Sequence, residues 1–197
     1  MSLVLVVAPT AEPVSTDEAR KQVRGVPTDT DITSELTSWI QAAREIGETY
    51  TRRRFIDQTL DWKFDGFPRD GLILRLPVAN VTAISSISYV DTNGDTQTWS
   101  SANYRTDLPT GPKCERGRIQ PAYGVSWPTT RDIINAVTIR LIAGYGATAA
   151  TVPEAIKVGM KALIGHWDRT REAVNVGNIV SEVPMGVTYT WKPFQTN

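Results

Sequence analysis

The apolar residues of this 197-residue chain change their spacing twice, and each change marks a boundary. From Ile32 to Tyr50 they recur every three or four residues (Ile32, Leu36, Trp39, Ile40, Ala43, Ile46, Tyr50), with Glu35, Arg44, Glu45 and Glu48 elsewhere. That spacing is one face of a long helix. From Phe55 the period becomes two: Leu60, Trp62 and Phe64 alternate with Asp61, Lys63 and Asp65, as side chains do on a half-buried strand. At Val152-Pro153-Glu154 the helical period resumes, with Ile156, Met160, Leu163, Ile164 and Trp167 in a stripe. Helices flanking strands predict an α+β fold: a small helical core of two N-terminal helices and one long C-terminal helix, a β-rich insertion and an extended C-terminal tail. The parts are 1–54 plus 147–172 for the helical core, 55–146 for the insertion and 173–197 for the tail.

Local signals refine these limits. Ser15-Thr16-Asp17-Glu18 is a capping box opening a short helix from Thr16 to Arg24. Gly25-Val26-Pro27 stops it, and Thr28-Asp29-Thr30-Asp31 offers oxygen acceptors to cap the second helix, which runs from Ile32 to Arg53. The run Leu3-Val4-Leu5-Val6-Val7-Ala8 has no preceding Lys or Arg and is too short to span a bilayer, so it reads as an arm or first strand. Strands are expected from Leu72 to Leu76, Val81 to Val90 and Ile134 to Ala143, with an Asn93-Gly94 hairpin turn into Thr96. Prolines and glycines between Asn103 and Pro128 leave room only for turns and short strands. Pro153 suits the first turn of the last helix, where its missing N–H costs nothing, and that helix runs to Glu172.

The tail is the part that asks for an explanation. Residues 173–197 hold Val174, Val176, Ile179, Val180, Val183, Met185, Val187, Tyr189, Trp191 and Phe194 against Glu182 and Lys192 as charges in its apolar stretch. Disordered segments are polar and charged, so this one requires burial. Val187, Tyr189 and Trp191 alternate with Thr188 and Thr190, as a strand added to a partner's sheet would; the alternative is that the strand folds back on its own domain.

The composition narrows the chemistry. Lys and Arg balance Asp and Glu at 21 each, so nothing demands nucleic acid or a membrane. Residues 1–100 hold 10 basic against 14 acidic side chains and residues 101–197 hold 11 against 7, an asymmetry that favours head-to-tail self-association. A single cysteine, Cys114, excludes an internal disulfide and a Cys-based zinc site. The single histidine, His166, leaves no metal-ligand spacing; a nucleophilic triad would need this one residue, and no G-x-S-x-G elbow is present. No catalytic residue, cofactor or metal is therefore expected. Asp57, Asp61, Asp65 and Asp70 invite comparison with a glycosidase carboxylate pair, but the first three share the polar face of a strand. Gly144-Tyr145-Gly146 lacks the Lys-Ser/Thr of a phosphate loop and serves instead as a sharp turn. Trp62, Trp99 and Trp127 on a β-rich middle suggest the competing reading, a carbohydrate-binding or glycan-hydrolysing module, although Trp62 shares its face with Leu60 and Phe64. Arg52-Arg53-Arg54 complements the negative end of the second helix.

Taken in order, the motifs resemble the head-tail connector (adaptor) family of long-tailed phages and gene-transfer-agent-like particles, in its branch with a β-rich insertion. The resemblance rests on Pro13-Val14-Ser15-Thr16-Asp17-Glu18-Ala19, Ile40-Gln41-Ala42-Ala43-Arg44 with Glu48-Thr49-Tyr50-Thr51, Asp65-Gly66-Phe67-Pro68 and Ile87-Ser88-Tyr89-Val90-Asp91. It continues through Trp127-Pro128, Ala143-Gly144-Tyr145-Gly146, Val152-Pro153, Trp167 with Arg171-Glu172, and Val183-Pro184-Met185-Gly186-Val187. It implies a structural protein of the neck of a virion or virus-like particle, assembled in the host cytoplasm. The implied assembly is a homo-oligomeric ring, typically of twelve subunits, that joins the portal protein to a downstream stopper or tail-completion protein. DNA passes through the lumen without sequence specificity. The resemblance also implies a portal-docking tail of Val183, Pro184, Met185, Val187, Tyr189, Trp191, Pro193 and Phe194, and makes Arg52, Arg53 and Arg54 candidates for facing portal or DNA.

Overall fold

Two units are built from the two kinds of periodicity in the computed structural model, which describes residues 1–23, 30–68, 73–169 and 184–196. One unit comprises Met1–Pro9 and Asp57–Tyr145, together with Thr196; the other comprises Thr10–Ile56 and Gly146–Gln195. The predicted stop at Gly25-Val26-Pro27, the capping residues Thr28 and Asp29, Asp70, Leu72, the last three residues of the predicted final helix and the tail from 173 to Val183 lie outside the described residues. So do the side chains of Thr30, Asp31 and Ile32.

Among the described residues the first unit holds eight strands: β1 (Ser2–Val7), β2 (Gln58–Phe64), β3 (Leu74–Ala79), β4 (Val81–Val90), β5 (Thr96–Thr98), β6 (Tyr104–Asp107), β7 (Arg116–Pro121) and β8 (Val137–Ala143). They form a five-stranded sheet in the order β1-β2-β8-β4-β5 and a three-stranded sheet in the order β3-β7-β6, antiparallel throughout. The register explains the alternation. Leu60 faces Leu141 and Leu141 faces Ile84, while Trp62 faces Ile139 and Ile139 faces Ile87, so each row of apolar side chains crosses the sheet on one face. With Leu76, Val78 and Ile119 of the smaller sheet these rows make one buried cluster. The Asn93-Gly94 turn is present, with Gly94 at φ 99° and its N–H donating to Asp91 O at 3.0 Å.

Three expectations are corrected in this unit. Met1–Pro9, placed with the helical core on sequence grounds, belongs to the strands, because β1 pairs along β2 from Ser2 against Lys63 to Val7 against Thr59. The last strand starts at Val137 rather than Ile134, since Ile134 is exposed and Asn135 takes a left-handed φ of 58° that breaks the extended run. Asp61 lies on the outer face of its sheet but is not solvated: it is buried, and its carboxylate takes two hydrogen bonds from Arg140, at 2.8 and 2.9 Å.

The second unit is helical: α1 (Thr16–Arg20), α2 (Thr30–Thr51), α3 (Glu154–Arg169) and α4 (Met185–Trp191). Ser15 caps α1 with the predicted box, its hydroxyl accepting from Glu18 N–H while Glu18 reaches back to Ser15 N–H at 2.9 Å. The stripes of α2 and α3 meet: Leu36, Ile40 and Ala43 are buried, as are Ile156, Met160, Leu163 and Ile164, and Trp39 lies edge-on to Trp167 at 6.5 Å. The second helix ends at Thr51, two residues before the predicted Arg53, because Arg52 turns left-handed at φ 56°.

The extended tail is the main correction. From Met185 to Trp191 the chain is a helix, continued by a single 3₁₀ turn over Lys192–Phe194. Val187, Trp191 and Phe194 stand at i, i+4 and i+7, and all three are buried in their own unit, while Tyr189, expected on the same face as Trp191, is 83% exposed. The alternation of Val, Tyr and Trp with Thr imitated a strand; the spacing of the buried residues is that of a helix.

Candidate functional site

The C-terminal helix is seated by one aromatic side chain. Pro184 begins α4, and its carbonyl accepts from Val187 N–H at 2.9 Å and Thr188 N–H at 3.1 Å. Trp191 is fully buried, and its indole Nε1–H donates to Ile156 O on α3 at 3.2 Å. The indole reaches that carbonyl because Gly159 sits beside it: a Cβ there would overlap Trp191 Nε1 and stand 2.7 Å from Thr190 Oγ1. Tyr50 on α2 adds a tilted ring contact at 6.1 Å, and Gly47 leaves space where Phe55 and Trp191 converge. Arg53 closes the arrangement, its Nε–H donating to Phe194 O at 2.6 Å.

This seating divides the predicted docking residues. Val187, Trp191 and Phe194 face inward, Pro184 is half-buried, and Met185, Tyr189 and Pro193 are exposed; Val183 is outside the described residues. Met185 and Tyr189 stand one turn apart at 86% and 83% exposure, and Lys192 continues their side of the helix. Val158 on α3, 47% exposed, adds a further apolar side chain to the surface of this unit.

The arginine triplet is divided in the same way. Arg53 is 1% exposed and Arg54 is turned toward Glu48, with N–O distance 3.6 Å; only Arg52 is exposed. Glu48 is buried and also accepts from Phe55 N–H at 2.8 Å, while Arg44 bridges it to Glu12 at 3.7 and 2.8 Å. This chain of alternating charges absorbs Arg54, and the Phe194 carbonyl takes Arg53, so two of the three cations expected to act at the surface are held inside the unit. Sequence reasoning missed Gly159, Arg53 and Glu48 as parts of this seat, and only the glycine in mid-helix signalled that something approaches there.

The carboxylates do not assemble into a catalytic pair. Asp61 is bound to Arg140, whose guanidinium holds that carboxyl below its usual range, and Asp65 accepts from Asn135 N–H at 2.9 Å. Asp57 packs against Gly144, where a Cβ would overlap it, so this glycine serves close packing in the turn. The Ser15 N–H and hydroxyl likewise hold the Glu18 carboxyl low, and burial raises the Tyr104 phenol. Trp62 and Trp99 are inside the core and cannot stack on a sugar; Trp127 is half-buried, stacked on Phe67 at 4.8 Å. Trp127 lines an open concavity of about 620 Å3 with Asp65, Ser126, Thr130 and Asp132. Among the described residues no group of three or more His, Cys, Asp or Glu side chains could hold a metal, and no helix is long and apolar enough to cross a membrane.

Comparison with solved structures finds chains of similar fold. No known family's sequence model matches the chain, and no curated protein does. A chain in a structure described as the neck of an empty GTA particle computed with C6 symmetry superposes with TM-score 0.75 at 21% identity, covering 100% of this chain and 96% of that one. A chain in the virion of a native gene transfer agent (GTA) particle gives TM-score 0.78 at 22% identity over the same shares. A third, in the neck of a native GTA particle computed with C12 symmetry, gives 0.75 at 22%, again over 100% and 96%. This chain therefore has, from end to end, the α+β fold of those chains.

Proposed function

We propose that the chain is a structural adaptor in the neck of a gene-transfer-agent-like or phage particle, with no catalytic role. The observation that carries this reading is the likeness in fold over the whole chain to chains from such necks, at TM-scores of 0.75 and 0.78. Twelve copies form a ring between portal and tail, with a downstream stopper or tail-completion protein on the far side and DNA passing through without sequence readout. The C12 symmetry of one of those necks supports the ring and its number. Zero net charge supports transit, because tight phosphate binding would hold DNA and make release steeply dependent on salt.

The helical unit carries the docking role and the β unit is the insertion. The exposed side of α4, Met185 and Tyr189 with Pro193, docks on the portal, while Val187, Trp191 and Phe194 hold the helix in place. Arg52 is the member of the triplet left to meet portal acids or DNA. The test is a Met185→Ser/Tyr189→Ser variant, assayed by portal pull-down and by electron microscopy of particles. Unchanged thermal unfolding with lost portal capture and tailless particles is the expected result. Normal capture and normal tails overturn the docking assignment, and absence of the chain from the neck overturns the adaptor reading.

A further inference from the structure

Four strands end the two sheets, and three carry devices that discourage pairing with another chain. β5 has three residues, all polar; β6 carries Arg105 and Asp107; β3 carries Arg75 and Pro77. Short length, charge and proline are the usual guards of an exposed edge. β1 has none of them. After Ser2 it reads Leu-Val-Leu-Val-Val, and Val4, Leu5, Val6 and Val7 are each between 42% and 53% exposed. Among the described residues this apolar strand is open on both faces and pairs along one edge only, and as such it is incomplete.

The same sheet offers a matching open edge on its other side. β5 registers only with Ser88–Val90 of β4, and Trp99 N–H occupies Ile87 O at 2.8 Å. Among the described residues the stretch Val81–Ser86 pairs with β8 alone; its six residues lie against the four from Arg140 to Ala143, with bulges between Val81 and Ala83 and between Ile84 and Ser86, so its outer edge offers about four ladder steps to the six-residue β1. The apolar row Leu5, Leu60, Leu141, Ile84 runs from one open edge to the other, and it is uncovered at Leu5 and half-covered at Ile84.

We propose that β1 of one copy of this chain adds to the Val81–Ser86 edge of β4 in the next copy, head to tail. Strand polarity supports this choice of edge. Through three antiparallel steps β1 and β4 run in opposite directions, so rotation about an axis along the strands brings them together antiparallel. Donor and acceptor are different surfaces of one subunit, and such a contact repeated by rotation closes a ring rather than a two-fold dimer. The occupant is a second copy because the proposed ring requires a heterologous contact; in this the inference rests on the adaptor reading above. The apolar row then continues from subunit to subunit, covering Leu5 and Ile84.

The test uses the full chain with Cys114→Ser. Val4 and Ser86 lie in one row on the outer face, through Asp61 and Arg140, and Ala83 lies on the same face in a neighbouring row. Val4→Cys is combined with Ser86→Cys or, for a shifted register, with Ala83→Cys, oxidised, and resolved by non-reducing electrophoresis and native mass spectrometry. A ladder of covalent oligomers from either pair is the expected result, together with at least a tenfold loss of self-association in Val4→Lys/Val6→Lys at unchanged circular dichroism. Overturning results are a monomer without interchain disulfide at every concentration, a dimer from Val4→Cys alone, or undiminished oligomers in the lysine variant. The adaptor reading fails separately, if the chain is missing from the particle neck.

Discussion

Gly159→Ala should destabilise this protein, although the same change in an exposed helix interior stabilises by about 1 kcal/mol. The sign turns on Trp191. The new Cβ would overlap the indole Nε1 and crowd Thr190 Oγ1 at 2.7 Å, and the indole cannot retreat without giving up its hydrogen bond to Ile156 O. Overpacking of this kind costs about 1–3 kcal/mol, and complete loss of Trp191 burial costs about 3–5 kcal/mol by analogy with Trp truncations. After the propensity gain, the expected net loss is up to about 2 kcal/mol, rising to about 2–4 kcal/mol where α4 leaves α3 altogether. In a Trp191→Ala background the indole obstruction is gone and only Thr190 Oγ1 remains close to the new Cβ, so the cost of Gly159→Ala should there shrink or reverse, a coupling of up to about 3 kcal/mol between the two sites. Urea unfolding of the four proteins by far-ultraviolet circular dichroism gives this cycle directly. A stabilised single variant, or the same change in both backgrounds, refutes the seating of α4 on α3.

Arg53→Met keeps the bulk of a 1%-exposed side chain but removes its charged hydrogen bond to Phe194 O; a loss of about 1.5–3 kcal/mol in urea unfolding is expected. Arg52→Gly places the residue best suited to φ 56° at the end of α2 and should raise stability by about 0.5–1 kcal/mol, read as a shift in the unfolding midpoint. Asp61 is held below its ordinary value of 3.8 by Arg140, so its contribution is complete above that pH and disappears as pH falls through the lower, folded value. Acid unfolding of Asp61→Asn should therefore lose stability less steeply below about pH 4 than the parent, and an unchanged slope would remove the Asp61–Arg140 pair from the acid response.

The period-two block was readable because register and burial act along a single strand: Leu60, Trp62 and Phe64 reach the core by alternation alone. The long helices were readable for the same reason, their stripes being local. What escaped depends on distant partners. Arg53 looks like a solvated cation, yet its carbonyl partner lies 141 residues away, and no local pattern distinguishes it from Arg52. Asp61 looked like a polar-face residue because Arg140, its partner, stands on a strand 79 residues later. β1 was readable as a strand but not as part of the β unit, since fifty residues separate its end at Val7 from the start of β2 at Gln58.

The tail shows why composition is safer than pattern in a short apolar segment. Its shortage of charge called for burial, and burial occurs, but the choice between strand and helix lay with Gly159 and Ile156 on α3 rather than with the tail itself. Val187, Tyr189 and Trp191 fit period two, whereas Val187, Trp191 and Phe194 fit a helix; packing selects the second set and turns Tyr189 outward. For docking this matters energetically. An extended tail would lose backbone freedom on binding, at about 1–2 kcal/mol for each residue fixed. A helix already pinned by Trp191 and by the Arg53–Phe194 bond has met that cost during folding, so in the proposed docking Met185 and Tyr189 would act as preorganised anchors. Loosening the seat should therefore weaken portal capture even with both anchors intact, as in Trp191→Ala, and that variant separates preorganisation from direct contact.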